Sequence, residues 1–190
     1  MTFEEHKERN SRTKKMLLWF AIISMIMVFA GLTSGYIVSK SRPDWKTLEM
    51  PSAFFISTAL MLVSSATFFL AKKSMQKGNR NATTMYLLVT LGLGILFIIF
   101  QFEGFKDLIA TGLYPTGPTS NITTQFLYAF VMVHLAHLIG GMISLLTVIY
   151  NHFKQKYNAS QTLGIELGAM FWHFLDFLWL YLFLFLYFFK

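Results

Sequence analysis

The chain has 190 residues, of which 55% are hydrophobic, 21 are phenylalanine and only 13% are charged. This balance excludes an ordinary soluble domain and indicates an integral membrane protein. Cysteine is missing from the sequence, which excludes disulfides, thiolate metal sites and cysteine catalysis. A formal net charge of +7 would suggest nucleic acid as the partner of a soluble chain. Here the basic residues lie in short segments between apolar runs, so we expect no nucleic-acid partner.

Five apolar runs are long enough to cross about 30 Å of hydrocarbon as helices. They cover about residues 16–40, 51–71, 83–103, 121–150 and 163–189. We therefore predict an all-α, polytopic membrane protein with a bundle of five transmembrane helices and a single membrane domain over residues 1–190. Basic residues precede the first run and no small-residue cleavage site follows it, so we interpret this run as an uncleaved anchor.

The positions of Lys and Arg predict the orientation of the bundle. Five precede the first run and four more, Lys72, Lys73, Lys77 and Arg80, fall in the second connector, whereas the odd-numbered connectors are poorer. This pattern predicts a cytoplasmic N-terminus and a C-terminus outside. Anionic lipid headgroups would also suit the basic clusters, although topology alone explains them equally well.

The connectors are predicted to be about 10 to 20 residues long, which leaves no room for a soluble domain. The third, residues 104–120, contains Gly and Pro at several positions and is expected to form an ordered turn on the outer face. Small residues inside the runs predict close helix packing. The glycines concerned are Gly31, Gly35, Gly92, Gly94, Gly140 and Gly141.

Polar side chains occupy the last two runs at depths where hydrocarbon should exclude them. His134 and His137 lie in the fourth run, and His173 and Asp176 lie in the fifth, each pair three residues apart and so on one helical face. Counting along the helices places all four in one layer near the middle of the membrane. We expect a hydrogen bond from Asp176 to His134 or to His137. Polar side chains are energetically unfavourable inside a bilayer, so these residues mark a functional site or a contact with another subunit.

Three functions compete for this layer. Two histidines on facing helices could ligate a haem, and the His and Asp residues together could hold a metal ion. A polar network that locks the helices in register and meets a partner subunit is favoured over both. A carrier or channel would need a broken helix or a charged path, and neither is evident.

Three further residues of the fifth run leave alternatives open. Trp172 and Trp179 are seven residues apart on one stripe, which suits either a contact with a partner or packing inside the subunit. Glu166 lies near the predicted cytoplasmic interface, where it could pair with a basic side chain or remain an ordinary interfacial carboxylate.

Two motifs in the last two runs are those of a known family. They read His134-Leu-Ala-His137-Leu-Ile-Gly140-Gly141 and Glu166-Leu-Gly168-Ala-Met-Phe-Trp172-His173-Phe-Leu-Asp176-Phe-Leu-Trp179. Both closely resemble, in order and spacing, subunit III of the haem–copper terminal oxidases, the cytochrome c oxidase subunit 3 family. The resemblance covers most of the chain, with Gln101 in the helix that ends in glutamine plus aromatics, and five helices suit the short bacterial form.

The sequence departs from the family pattern at two positions. Met25 follows Ser24 at a position where the family usually has a glutamate linked to proton uptake. Gly104, which follows Glu103, occupies a position where the family often has a second glutamate. Proton-related roles of those carboxylates are therefore not transferred to this chain.

The resemblance implies a non-catalytic subunit of a proton-pumping oxidase in the inner (plasma) membrane of a bacterium, with cytochrome c or quinol as electron donor. Haem and copper would lie in the catalytic subunit I, which this chain would contact directly and stabilise. Subunit II, membrane phospholipids and a respiratory supercomplex are further expected partners. A haem-binding membrane anchor of another respiratory complex is the alternative function.

No catalytic, cofactor-binding or metal residue is predicted in this chain. The residues expected to serve structure, lipid binding or subunit contact are Gln101, Glu103, His134, His137, Glu166, Trp172, His173, Asp176 and Trp179.

Overall fold

The computed structural model describes residues 3–47, 50–117, 120–158 and 161–189. It contains five helices, and all five are long and apolar enough to cross a membrane. Their bounds are α1 Phe3–Ser39, α2 Ser52–Gln76, α3 Arg80–Ala110, α4 Ile122–Phe153 and α5 Leu163–Phe188. The described residues contain no strand, only one isolated bridge between Asn158 and Gln161. The prediction of an all-α protein with five membrane-spanning helices is confirmed.

The connector between α2 and α3 is much shorter than predicted. Helix α2 continues through Lys72 and Lys73, and only residues 77–79 separate it from α3. Gly78 has a φ of +75°, which favours glycine, and its N–H donates to the carbonyl of Met75 at 2.9 Å. The Asn79 side chain then caps the first turn of α3. Lysine is a good helix former, so the loss of hydropathy at Lys72 did not mark the end of the helix.

The third connector is also partly helical. The prediction of a turn over residues 104–120 is wrong for its first part, because α3 continues to Ala110. Its remaining turn contains Gly112 and Gly117, both with positive φ. Pro118 lies outside the described residues. The hydropathy pattern had marked the limit of the hydrocarbon rather than the limit of the helix.

Helix α5 is central and α1 is peripheral. The α2–α3 pair is an antiparallel hairpin with extensive contact, and α5 packs against α1, α2 and α4. Helix α1 touches α4 and α5 alone among the described helices. Just over half of the most apolar stretch of α5 is buried (56%), compared with 22% for α1. The side chains of Trp172 and Trp179 also reach α3, so the polar residues of α5 are held inside the bundle by all four other helices.

Close helix packing occurs at some of the predicted glycines. A Cβ atom on Gly94 would lie 2.9 Å from the Trp172 ring, and one on Gly141 would lie 2.5 Å from Leu175. Both distances are too short for any side chain, so these two glycines allow α3 and α4 to approach α5. The prediction is wrong for three others, which face open space: Gly31, Gly92 and Gly140.

Candidate functional site

Two tryptophans connect α5 to α2. The indole N–H of Trp172 donates to the hydroxyl of Ser64 at 3.0 Å, and that of Trp179 donates to the hydroxyl of Thr58 at 3.0 Å. Both tryptophans are at most 2% exposed. Their rings therefore pack inside the subunit, which decides against the alternative of a direct aromatic contact with a partner.

A histidine forms a third connection between the same two helices. The Ser65 hydroxyl lies 2.7 Å from Nδ1 of His173, whose ring is partly exposed. The two tryptophan bonds fit antiparallel neighbours, because Thr58 precedes Ser64 in α2 whereas its partner Trp179 follows Trp172 in α5. Sequence reasoning did not predict this pairing of α2 with α5. Thr58 and Ser64 are about two helical turns apart, as are Trp172 and Trp179, and this similar spacing was the available signal.

Asp176 is enclosed without a hydrogen bond. The residue is 3% exposed, and neither carboxylate oxygen has a partner. The Ser65 hydroxyl lies near this carboxyl group but does not meet hydrogen-bond geometry. The predicted bond from Asp176 to His134 or His137 is therefore wrong. Asp176 faces the α2 side of α5, whereas the histidines lie on α4.

The two histidines of α4 occupy different environments. His134 is 1% exposed, with its ring centroid 5.2 Å from that of Trp179 and 6.1 Å from that of Phe97, and both of its nitrogens lack a partner. His137 donates from Nδ1 to the carbonyl of Val133 at 2.7 Å. The four polar residues of the predicted layer therefore do not form one hydrogen-bonded cluster, although their depths along the helices are similar. Within the described residues no group of three or more His, Cys, Asp or Glu side chains is placed to hold a metal ion.

Glu166 joins α5 to α1. Its carboxylate accepts a hydrogen bond from the Thr162 hydroxyl at 2.7 Å and lies 3.5 Å from Nζ of Lys15. The charge of Lys72 on α2 also acts on it. Of the two alternatives for Glu166, the structure supports pairing with a basic side chain. Sequence reasoning missed Lys15 as the partner, because helix contacts are not readable from a connector count.

Gln101 and Glu103 lie on opposite sides of α3. Gln101 is fully buried and donates from Nε2 to the Ser57 hydroxyl at 3.1 Å, which links α3 to α2. Glu103 is exposed and pairs with Lys106 at 2.6 Å. A Cβ at the neighbouring Gly104 would lie 2.5 Å from the ring of Phe54. This close contact explains physically why α3 has no carboxylate at that position.

An apolar groove follows the seam between α1 and α5. It has a volume of about 470 Å³, and its lining includes Trp19 and Ile26 of α1 and Phe177 and Tyr181 of α5. A second, polar recess of about 400 Å³ lies at the start of α5 and is lined by Lys15 of α1, Glu166 of α5 and residues of the α4–α5 connector. Lys15 and Trp19 are four residues apart on one helix, so the two spaces follow one another along the same face of α1.

Comparison with known proteins gives concordant matches. The family model for cytochrome c oxidase subunit III matches residues 4–190. Cytochrome bo(3) ubiquinol oxidase subunit 3 of Buchnera aphidicola subsp. Schizaphis graminum is 28% identical over 185 residues, covering 95% of this chain and 96% of that protein. The protein of the same name from Pseudomonas aeruginosa is 29% identical over 170 residues, covering 87% and 79%. Cytochrome c oxidase subunit 3 of Loxodonta africana is 34% identical over 143 residues, covering 74% and 50%.

Proposed function

The chain belongs to the cytochrome c oxidase subunit III family, and from that premise we propose that it is the non-catalytic subunit III of a proton-pumping haem–copper oxidase. In this proposal it takes part in aerobic electron transport, carries no redox centre and stabilises the catalytic subunit I, which holds haem and copper. Residues 1–190 act as one membrane domain. Subunit II and a respiratory supercomplex are further proposed partners.

One observation carries the non-catalytic role. The family motif in α5 uses Trp172, His173 and Trp179 for hydrogen bonds to α2 inside the same chain. These groups fix the position of α5 and are not directed at a substrate. The motif therefore builds a rigid bundle with an apolar exterior. Such a bundle can hold a neighbouring membrane subunit in place without chemistry of its own.

The alternative function, a haem-binding anchor, receives no support from the histidine geometry. A ligating imidazole must direct a nitrogen at a haem that lies between the helices. His134 is instead 1% exposed and enclosed by the rings of Phe97 and Trp179.

The charge distribution supports the proposed orientation, and a relative supports the proposed location. Lys15, Lys72, Arg80 and Lys154 lie at the same end of the bundle, close to the ends of α2 and α4 and the start of α3. The positive-inside rule places this end in the cytoplasm and the C-terminus outside. We assign the chain to the inner (plasma) membrane of a bacterium. The reason is a bacterial relative of similar length, which this chain matches over 96% of its residues.

Phospholipid binding is part of the proposal and is supported by the seam between α1 and α5. Lys15 and Lys156 line the polar recess with Glu166, an excess of positive charge that suits a lipid phosphate. The apolar groove that follows suits an acyl chain, since its lining is nearly free of polar surface. A lipid held with its headgroup in the recess and a chain in the groove would fill the space beside the peripheral helix α1.

Purification of the tagged chain in mild detergent tests the proposed function. We expect a haem–copper subunit to co-purify and the complex to consume oxygen with reduced cytochrome c or with ubiquinol as donor. The two donors are compared because relatives named after each of them match this chain. Recovery of the chain alone, with or without a haem of its own, would contradict the proposal.

The lipid proposal has its own test. The double substitution Lys15→Gln and Lys156→Gln should lower the amount of phospholipid retained by the purified complex, measured by native mass spectrometry. Lys73→Gln with Lys77→Gln is the matched control, because both side chains are exposed and lie at the same end of the bundle. Equal lipid retention in the two double variants would refute a site at the α1–α5 seam.

A further inference from the structure

Asp176 stands out as the one buried acid among the described residues. It is 3% exposed, and neither oxygen has a hydrogen bond. None of the ion pairs in the described part of the chain involves it. An ionised carboxylate in such a place, without a counter-charge or donors, is strongly unfavourable in an apolar medium. The side chain therefore requires a neutralising ligand.

Most ligands cannot reach Asp176. A cationic side chain of a partner subunit has no access to a group that is almost fully enclosed by α5 and its neighbours. A metal ion would need further ligands, and no suitable group of His, Asp or Glu side chains exists among the described residues. The groove and the recess along the α1–α5 seam do not include Asp176 in their lining. A proton satisfies the carboxylate without any additional space.

We propose that Asp176, Ser65 and His173 form a proton-binding site inside the membrane, in which Asp176 is a neutral carboxylic acid and its proton exchanges through Ser65 and His173. This goes beyond the proposed function, and it does not depend on which oxidase the chain belongs to. The geometry behind it is the position of the Ser65 hydroxyl, which lies near the Asp176 carboxyl group and 2.7 Å from Nδ1 of His173.

The exchange step involves these three residues and one water molecule. A serine hydroxyl can accept one hydrogen bond while it donates another. Ser65 takes the proton of the Asp176 carboxylic acid as it passes its own proton to Nδ1 of His173, which leaves a carboxylate and an imidazolium. The imidazolium passes its Nε2 proton to a water molecule that reaches the partly exposed His173. The reverse sequence returns a proton to Asp176.

The charged groups around the site come from several helices. Lys72 of α2 is the charged side chain that acts on His173. Glu166 of α5 is paired with Lys15 of α1 and is not available to Asp176. On the α4 side, His134 and His137 lie beside Trp179 and Phe29 respectively. In α1, Met25 adds no charge.

Infrared spectroscopy of the purified complex tests the site. At neutral pH the wild type should show the carbonyl band of a protonated carboxylic acid, and the isosteric variant Asp176→Asn should lose it. The control Asp44→Asn, which removes an exposed acid paired with Arg42, should keep the band. An unchanged spectrum in Asp176→Asn would show an ionised Asp176 and overturn the proposal. If that variant fails to assemble, Asp176→Glu retains the acid and must shift the band, and an unshifted band would have the same meaning.

Hydrogen–deuterium exchange tests the route. The Asp176 band should shift in D₂O, and Ser65→Ala should slow that shift roughly 100-fold, the lower end of what a positioned proton-transfer group contributes. The control Ser34→Ala, on the exposed face of α1, should leave the rate unchanged. A rate in Ser65→Ala equal to that of the wild type would overturn the proposed route.

Discussion

The hydrogen bond between Trp172 and Ser64 allows the strongest test of the bundle. Ser64 makes no other hydrogen bond through its hydroxyl among the described contacts, so Ser64→Ala removes this interaction cleanly. Trp172→Phe removes the indole N–H together with part of a ring that packs against Phe68 and closely over Gly94. The two single variants and the double variant form a thermodynamic cycle that isolates the hydrogen bond.

The magnitudes follow from the burial of both partners. Hydrogen bonds between membrane helices contribute about 0.6 kcal/mol on average and at most about 1.7 kcal/mol, so the coupling energy should fall in this range. Trp172→Phe alone should lower the free energy of unfolding by about 1–2 kcal/mol, less than the loss of a whole buried aromatic side chain. Unfolding in mixed micelles of mild detergent and sodium dodecyl sulfate measures each value.

The control for this cycle is Phe177→Leu on α5, since Phe177 is 69% exposed. It should change the free energy of unfolding by less than about 0.5 kcal/mol. A coupling energy of zero between Trp172 and Ser64 would refute the argument that the α5 motif serves to hold α2. An effect of Phe177→Leu as large as that of Trp172→Phe would refute the assignment of the inner face of α5.

Two further predictions concern helix packing and the α1–α2 turn. Gly141→Leu should destabilise the bundle by about 1–3 kcal/mol, because the new side chain collides with Leu175, whereas Gly140→Leu should be nearly neutral because that position is open. Equal effects of the two changes on unfolding would contradict the packing of α4 on α5. At the turn, the guanidinium of Arg42 donates to Asp44 at 2.9 Å and lowers the pKa of that carboxyl group. Arg42→Gln should therefore raise the Asp44 pKa toward its ordinary value in an NMR titration, and an unchanged pKa would show that the pair does not form.

The spans were predictable from the sequence because hydropathy reports directly on the hydrocarbon. Helix ends were not, since an α-helix continues beyond the hydrocarbon as long as its residues tolerate it. Lys72 and Lys73 extend α2, and α3 continues past Gly104 to Ala110. The short second connector needed the capping geometry of Gly78, which hydropathy does not report.

The partners of the polar residues were less accessible. Depth along a helix places His134 and Asp176 at similar levels, but α5 contacts several helices and depth does not say which of them a side chain faces. Asp176 faces Ser65 on α2, and His134 packs against Trp179. The similar spacings of Thr58 and Ser64 in α2 and of Trp172 and Trp179 in α5 held the missing information, because antiparallel neighbours can pair positions about two turns apart.

The pairing of Glu166 was only half predictable. Its position near the end of the bundle indicated a basic partner, but the identity of Lys15 depends on how far α1 extends beside α5. That extension is a property of packing and not of the local sequence.

Turnover of the oxidase with and without this chain tests the central claim most directly. The initial rate of oxygen consumption and the number of turnovers before inactivation are measured on the same preparation. We predict an initial rate that is nearly unchanged when the chain is removed and a much smaller number of turnovers, because the chain stabilises the catalytic subunit and performs no chemistry. Loss of the initial rate would give the chain a part in the reaction itself, and an unchanged number of turnovers would contradict its stabilising role.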